Sequence, residues 1–173
     1  EAAMGNPGLK PLKASNLDLG IERILGTDGT VSAYAFHKHI RDFTYATNLA
    51  GAGRWAGYTT ATSYANGDTA KVKGIEFAWN QPLRMLPAPF NGLLIGANAA
   101  FTDSKAEVAR YDAKAGKVLA RGIPMPGQSD RVVNLMVGYE AGPLSTRLAV
   151  NYKSDYLLEL GSDILNGAQD RIV

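Results

Sequence analysis

The chain contains no cysteine, which excludes a disulfide framework and thiolate metal sites without fixing a compartment. Charge of one sign is not in surplus either: 18 basic residues stand against 16 acidic ones, so nothing argues for a nucleic-acid surface. Long apolar runs are missing. Leu93-Leu94-Ile95 gives way at once to small residues, and no stretch approaches the roughly 18 apolar residues of a spanning helix. Any membrane reading is therefore a barrel reading. No Ser/His/Asp set at a recognisable spacing supports a hydrolase. The N-terminal stretch Glu1 to Pro7 has no basic segment followed by an apolar core, so it is not a signal peptide. The last residues, Asp170-Arg171-Ile172-Val173, look like the opening of another strand. Both ends are expected to be cuts inside a longer protein.

What the sequence does have is alternation. Side chains of a strand point to opposite faces in turn. From Asp130 to Tyr156, Val133, Leu135, Val137 and Tyr139 share one face. After a break at Ala141-Gly142-Pro143, so do Leu144, Thr146, Leu148, Val150 and Tyr152. This predicts an antiparallel hairpin. Its arms of about ten residues are long for a soluble strand but right for a tilted bilayer crossing.

The rest of the chain repeats the pattern. Strands are predicted at Ser15–Leu25, Thr30–Phe43, Gly67–Asn80 and Leu93–Asp103. Gly26-Thr27-Asp28-Gly29 reads as a tight turn and Pro82–Gly92 as a proline-rich one. Thr44–Asn66, Ser104–Ser129 and Leu157–Gln169 read as polar loops, with Lys114-Ala115-Gly116-Lys117 at a loop tip. In an up-and-down meander all the long loops then fall at one end, as in outer-membrane barrels. Trp79 and Tyr139 lie beside short turns, and Phe101 and Tyr152 beside long loops, which makes two aromatic belts. The opposite face is read as carrying Glu22, His37, His39, Arg41, Glu76 and Asn98, with Asn134, Arg147, Asn151 and Lys153, among small residues such as Gly20, Ala33, Ala35 and Gly74. A dry core could not hold so many polar groups without partners. The expected fold is all-β: an antiparallel up-and-down transmembrane β-barrel segment of about six to seven strands, forming part of a single barrel domain. A soluble β-sandwich binding module is the competing reading.

The candidate chemistry is sparse. His37 and His39 share a strand face with Arg41 beyond, but no third ligand stands near, so a metal site is not expected. Gly51 to Gly57 lacks the Lys-Ser/Thr ending of a phosphate loop. Arg54, Trp55 and Tyr58 in that loop could stack on and charge-pair with a ligand such as a sugar or an anionic chelate, or could meet only lipopolysaccharide. The loop acids Asp103, Glu107, Asp112, Asp163 and Asp170 lack EF-hand spacing. Neither a catalytic residue nor a cofactor is expected. An outer-membrane hydrolase using His37 or His39, and a passive porin-like barrel, remain as further alternatives.

Gly5 to Glu22 resembles the segment that enters a late barrel strand of TonB-dependent outer-membrane receptors. AYAFHKHIRDF, AKVKGIEFAWNQPL, IPMPGQSDRVVNLMVGYE and RLAVNYKSDYL resemble successive later pieces in the same order. Leu12 departs from the pattern, which commonly has Glu after Lys-Pro. The resemblance implies a barrel of about 22 strands with a plugged lumen in the bacterial outer membrane, surrounded by lipid and lipopolysaccharide. It also implies a plug domain and a TonB-pairing segment outside this sequence, and import of a scarce ligand: an iron chelate, cobalamin or an oligosaccharide. His37, His39 and Arg41 would face the plug or the ligand from the lumen, and Arg54, Trp55 and Tyr58 would meet ligand from a loop.

Overall fold

A computed structural model of the chain describes every residue except Thr27, Ala52 and residues 113–115, and gives only the backbone at 111 and 112. The Lys114 loop tip, the Thr27 position of the first turn and the Asp112 carboxylate lie outside the described residues. In chain order the strands are β1 (Ala2–Ala3), β2 (Lys13–Leu25), β3 (Gly29–Arg41), β4 (Thr44–Asn48), β5 (Ala61–Asn66) and β6 (Thr69–Pro82). They continue as β7 (Leu93–Asp112), β8 (Lys117–Ile123), β9 (Arg131–Ala141), β10 (Leu144–Lys153), β11 (Leu157–Leu160) and β12 (Arg171–Ile172).

The larger sheet runs β10-β9-β7-β6-β3-β2 and is antiparallel throughout, with β8 paired to the far half of β7. Short links join it at one end. Gly142-Pro143 connects β9 to β10, with Gly142 at φ 56°, a region that only glycine enters without strain. Pro87, Pro89 and a single 3-10 turn at Phe90–Gly92 connect β6 to β7. β10 and β2 end the order, so the sheet does not close on itself.

Register fixes the two faces. Leu19 pairs with Ala35, Ala35 with Ile75 and Ile75 with Phe101. One row along, Ile21, Ala33, Phe77, Ala99, Val133 and Tyr152 align. Trp79 and Tyr139 extend the same face toward the short links, so all four belt aromatics share it. This apolar face is bare: Leu17, Leu19 and Ile21 are 73–77% exposed and Leu148 70%. A β-sandwich would have buried it against a second sheet.

The other face carries Asp18, Gly20, Tyr34, Glu76, Asn98, Asn134 and Asn151. Here β3 corrects the expectation. Tyr34 and Phe36 lie on the polar face, while Ala33, Ala35, His37, His39 and Arg41 lie on the apolar one. The reason is steric. The Tyr34 ring covers Gly20 and the Phe36 ring covers Gly74, so closely that a Cβ on either glycine would collide with the ring. Two aromatics thus fill glycine gaps on a polar surface, and the aromatic content of β3 points the wrong way.

The three long connections are a second correction. Each of them contains strands. β4 and β5 form a hairpin that continues β3 and β6 beyond a kink at Asp42, which adopts φ 56°. At the kink the Gly67 amide donates to the Phe43 carbonyl at 2.7 Å, and the Phe43 ring lies so close over Gly67 that a side chain there would clash. β11 pairs in parallel with β4 and antiparallel with β12, and β1 adds to β5, giving a five-stranded sheet. It folds over the polar face at the long-connection end. Phe43, Tyr45, Leu157 and Leu160 pack there on Ala70, Ala106, Val108 and Ile123 from β6, β7 and β8. Phe43, Val108 and Leu160 are fully buried. The chain's apolar core is therefore in this cap and not in the hairpins below it. The Tyr45 phenol is pushed above its usual pKa by that burial.

Candidate functional site

The tip of the β4–β5 hairpin is pinned by Asn48. Its Oδ1 accepts from the Ala50 amide at 3.1 Å and the Ala61 amide at 2.9 Å, closing the neck of the loop. A 3-10 turn at Gly53–Trp55 follows, with Gly51 N donating to Trp55 O at 3.1 Å and Tyr58 N to the same oxygen at 3.1 Å. This brings Arg54, Trp55 and Tyr58 together. The Arg54 guanidinium lies 4.7 Å from the Trp55 ring centre, and Tyr58 meets Trp55 edge-on at 5.3 Å. A guanidinium held on an indole keeps its planar donors free for an anion.

Tyr58 also lines a cavity of about 370 Å³ with Asn48, Gly51, Gly161, Ser162 and Gln169. Its surface is amide, hydroxyl and backbone, which suits a polar ligand, and its size is in the range of small-molecule pockets. The Gly161–Gln169 wall comes from the segment after β11, over a hundred residues away, and sequence reasoning had no signal for it. Gly161 packs so tightly on Gln169 that any side chain would clash, and Ser162 Oγ donates to Gln169 Oε1 at 2.9 Å. A latch holds the wall: Arg121 of β8 pairs with the buried Asp170 carboxylate and donates to Ile164 O at 3.2 Å, while Gly161 N donates to Asp170 Oδ1 at 3.3 Å. Two other loop acids are also engaged, Asp163 with Arg110 at 3.2 Å and Asp103 with Lys73 at 3.3 Å.

His37, His39 and Arg41 are not part of this site. They stand on the apolar face of β3 beside Lys73, Lys71 and Thr69. Among the described residues no group of three His, Asp or Glu side chains forms a metal-sized cluster. Below the cap, the polar face holds a second concavity of about 300 Å³ centred on Asn80, Asn98, Asn134 and Asn151, where Asn134 Nδ2 donates to Asn98 Oδ1 at 2.6 Å.

Long antiparallel hairpins, one bare apolar face, one polar face and a folded cap at a single end point to one architecture. The family model described as TonB dependent receptor-like, beta-barrel matches residues 1–170. The chain belongs to this family. Solved structures agree on the fold. Two mutant forms of the ferric enterobactin receptor (PfeA) from Pseudomonas aeruginosa align over 99% of this chain with a TM-score of 0.54, at 18% and 19% identity. A further mutant of that receptor, in complex with enterobactin, aligns with the same TM-score at 20% identity. The chain spans 23% of the length of those receptors. No curated protein matches the sequence. The receptor fold accounts for the open edges at β2 and β10: in a larger barrel each has a neighbouring strand. The family is one of outer-membrane receptors and not of enzymes.

Proposed function

We propose that this chain is one wall of a TonB-dependent importer in the bacterial outer membrane, a single barrel domain of about 22 strands. The carrying observation is the polarity of the segment: bare leucines on one face, asparagines and glycines on the other, and a folded cap at one end only. From Leu93 to Phe101, β7 climbs about 27 Å at about 3.4 Å per residue. That is about 21 Å along the barrel axis at a tilt of about 40°, close to the apolar band of about 25 Å that such barrels present to lipid. The asparagine face is the lumen wall, on which a plug is seated. The cap faces outward from the cell and contributes Arg54, Trp55 and Tyr58 to ligand capture.

The ligand class that suits these residues best is an iron chelate. An anionic aromatic complex matches a guanidinium stacked on indole, and the structural neighbours include a receptor holding enterobactin. Cobalamin and oligosaccharides are the alternatives. Uptake by cells carrying the complete receptor tests the reading, using a radiolabelled ferric catecholate, cobalamin and a maltooligosaccharide, each with and without a protonophore. Accumulation of one of them that collapses with the proton gradient, and is weakened by Arg54→Ala and Trp55→Ala, is the expected result. Uptake indifferent to the protonophore would identify a passive pore instead.

A further inference from the structure

The tip of the β4–β5 hairpin and the cavity beside it offer different chemistries. The tip presents a cation on an aromatic ring, Arg54 at 4.7 Å from the Trp55 centre. The cavity has no charged residue in its lining. The acids of the neighbouring segment are already engaged, Asp163 by Arg110 and Asp170 by Arg121. Tyr58 belongs to both places: it meets Trp55 edge-on and lines the cavity.

What the cavity can still bond follows from what its side chains have spent. Asn48 Oδ1 accepts from two backbone amides, at 3.1 and 2.9 Å, so its Nδ2 donors are left over. Gln169 Oε1 accepts from Ser162 Oγ at 2.9 Å, which leaves the Gln169 Nε2 donors and the lone pairs of the Ser162 oxygen. The Thr59 and Tyr58 hydroxyls both donate and accept. The set is mixed and neutral. An anion entering it would meet acceptors as well as donors and no cation, and an ammonium would meet no carboxylate. A hydroxyl donates and accepts at once, and fits.

The far wall of the cavity is held from behind. No residue of β8 lines the cavity, yet its Arg121 lies so close to Gly167 that a Cβ there would press on Nη2. The same guanidinium donates to Ile164 O at 3.2 Å and pairs with Asp170, whose Oδ1 accepts from the Gly161 amide at 3.3 Å. Gly161 and Gln169, at the two ends of the segment, are packed together there. From the other side Thr47 Oγ1 donates to Gly161 O at 3.3 Å.

We infer that the cavity is a subsite of its own for a neutral, hydroxyl-rich substituent of the ligand, a sugar in chemical class, and that Arg121 and Asp170 are the positioning pair that holds it to shape. The ligand is then bipartite, with an anionic aromatic part on Arg54 and Trp55 and a carbohydrate part beside it. The inference rests on the proposal that the cap captures a chelate. A neutral hydrogen bond gives about a fivefold gain in affinity, so about two or three of them give about 30- to 150-fold.

The test is calorimetric titration of the complete receptor in detergent. The probes are a ferric tricatecholate, the same chelate carrying one glucosyl group, the same chelate carrying an acetamide group, and free glucose. The expected result is that the glucosyl form binds about 30- to 150-fold tighter than the plain one. Ser162→Ala with Gln169→Met should bring that ratio down toward one. Arg54→Ala should weaken both forms and leave the ratio standing. Asp170→Asn strands one partner of a buried pair, a loss larger than the hydroxyl gain, so it should abolish the ratio as well. Arg121→Lys keeps the charge and should keep part of it. Thr59→Leu fills the cavity from an exposed position without touching the latch, and should also abolish the ratio. Plain chelate that binds through Arg54 with no glucosyl gain sinks the inference and leaves the chelate reading standing. Failure of both chelates to bind sinks both. An equal gain from the acetamide overturns the carbohydrate class. Free glucose binding as tightly as the conjugate overturns the bipartite ligand. A full gain in folded Asp170→Asn overturns the role of the positioning pair.

Discussion

Four alanines separate the two faces with a single change. Ala33 and Ala99 lie in the row of Phe77 on the apolar face, while Ala78 and Ala100 lie within one residue of that height on the polar face. Each is to be replaced by Arg in the complete barrel. Ala99 stands two residues above Ala97, the middle of the apolar ladder of β7, which puts it about 5 Å above the midplane at a rise of about 3.4 Å per residue and a tilt of about 40°. A midplane Arg facing lipid costs about 2–4 kcal/mol and one at the interface about 0–1. Ala99→Arg and Ala33→Arg should therefore each cost about 1.5–3 kcal/mol, or about 10- to 150-fold in the folding equilibrium. Ala100→Arg faces Glu76 across the pair and should be neutral or slightly stabilising, by about 0.2–1 kcal/mol. Urea titration of the barrel refolded into vesicles, read by tryptophan fluorescence and by gel mobility without heating, measures all four. The result that would refute the reasoning is Ala33→Arg proving as mild as Ala78→Arg. The alternation of β3 taken alone favours that outcome, and the register forbids it.

Further outcomes follow from the cap. Asp170→Asn leaves Arg121 half-buried without its partner and should cost about 3 kcal/mol locally, seen as faster hydrogen exchange at the Gly161 amide. Tyr45 has a raised folded pKa, so the folded state holds its proton more tightly. Its contribution is full below about pH 10, the unfolded value, and is lost as pH rises above it. Tyr45→Phe should abolish that alkaline loss, followed by phenolate absorbance and thermal melting. Single cysteines replacing Arg54 and Lys117 should both label from outside intact cells; labelling of only one would break the meander.

Alternation made most of the barrel legible. β2, β6, β7, β9 and β10 carry leucine, isoleucine, valine and aromatics on one parity and polar or small residues on the other, and the structure keeps those faces. β3 was misread because Tyr34 and Phe36 count as apolar in any pattern, whereas their position is set by Gly20 and Gly74 on neighbouring strands. A single strand cannot report its neighbour's missing side chain. The cap was missed for a related reason. Buried positions of β4 and β5 include Thr47, Ala61 and Ser63, which alternate but are small or hydroxylated, so the segment reads as polar. The mutual proximity of Arg54, Trp55 and Tyr58 was legible because a local turn gathers them. The Gly161, Ser162 and Gln169 wall was not, because only the parallel β4–β11 pairing brings it there.

The shared core of the cap constrains how the protein can change over generations. Hairpin β4–β5, the β7–β8 extension with the adjoining end of β6, and the β11 segment each supply side chains to one buried cluster. Lengthening or trimming one of them uncovers Leu160 or Val108 and weakens the remaining two. A change in one of these segments is thus expected to need matched changes in the others, more than a hundred positions away. A graft that moves one hairpin between relatives should fail where a graft of all three succeeds.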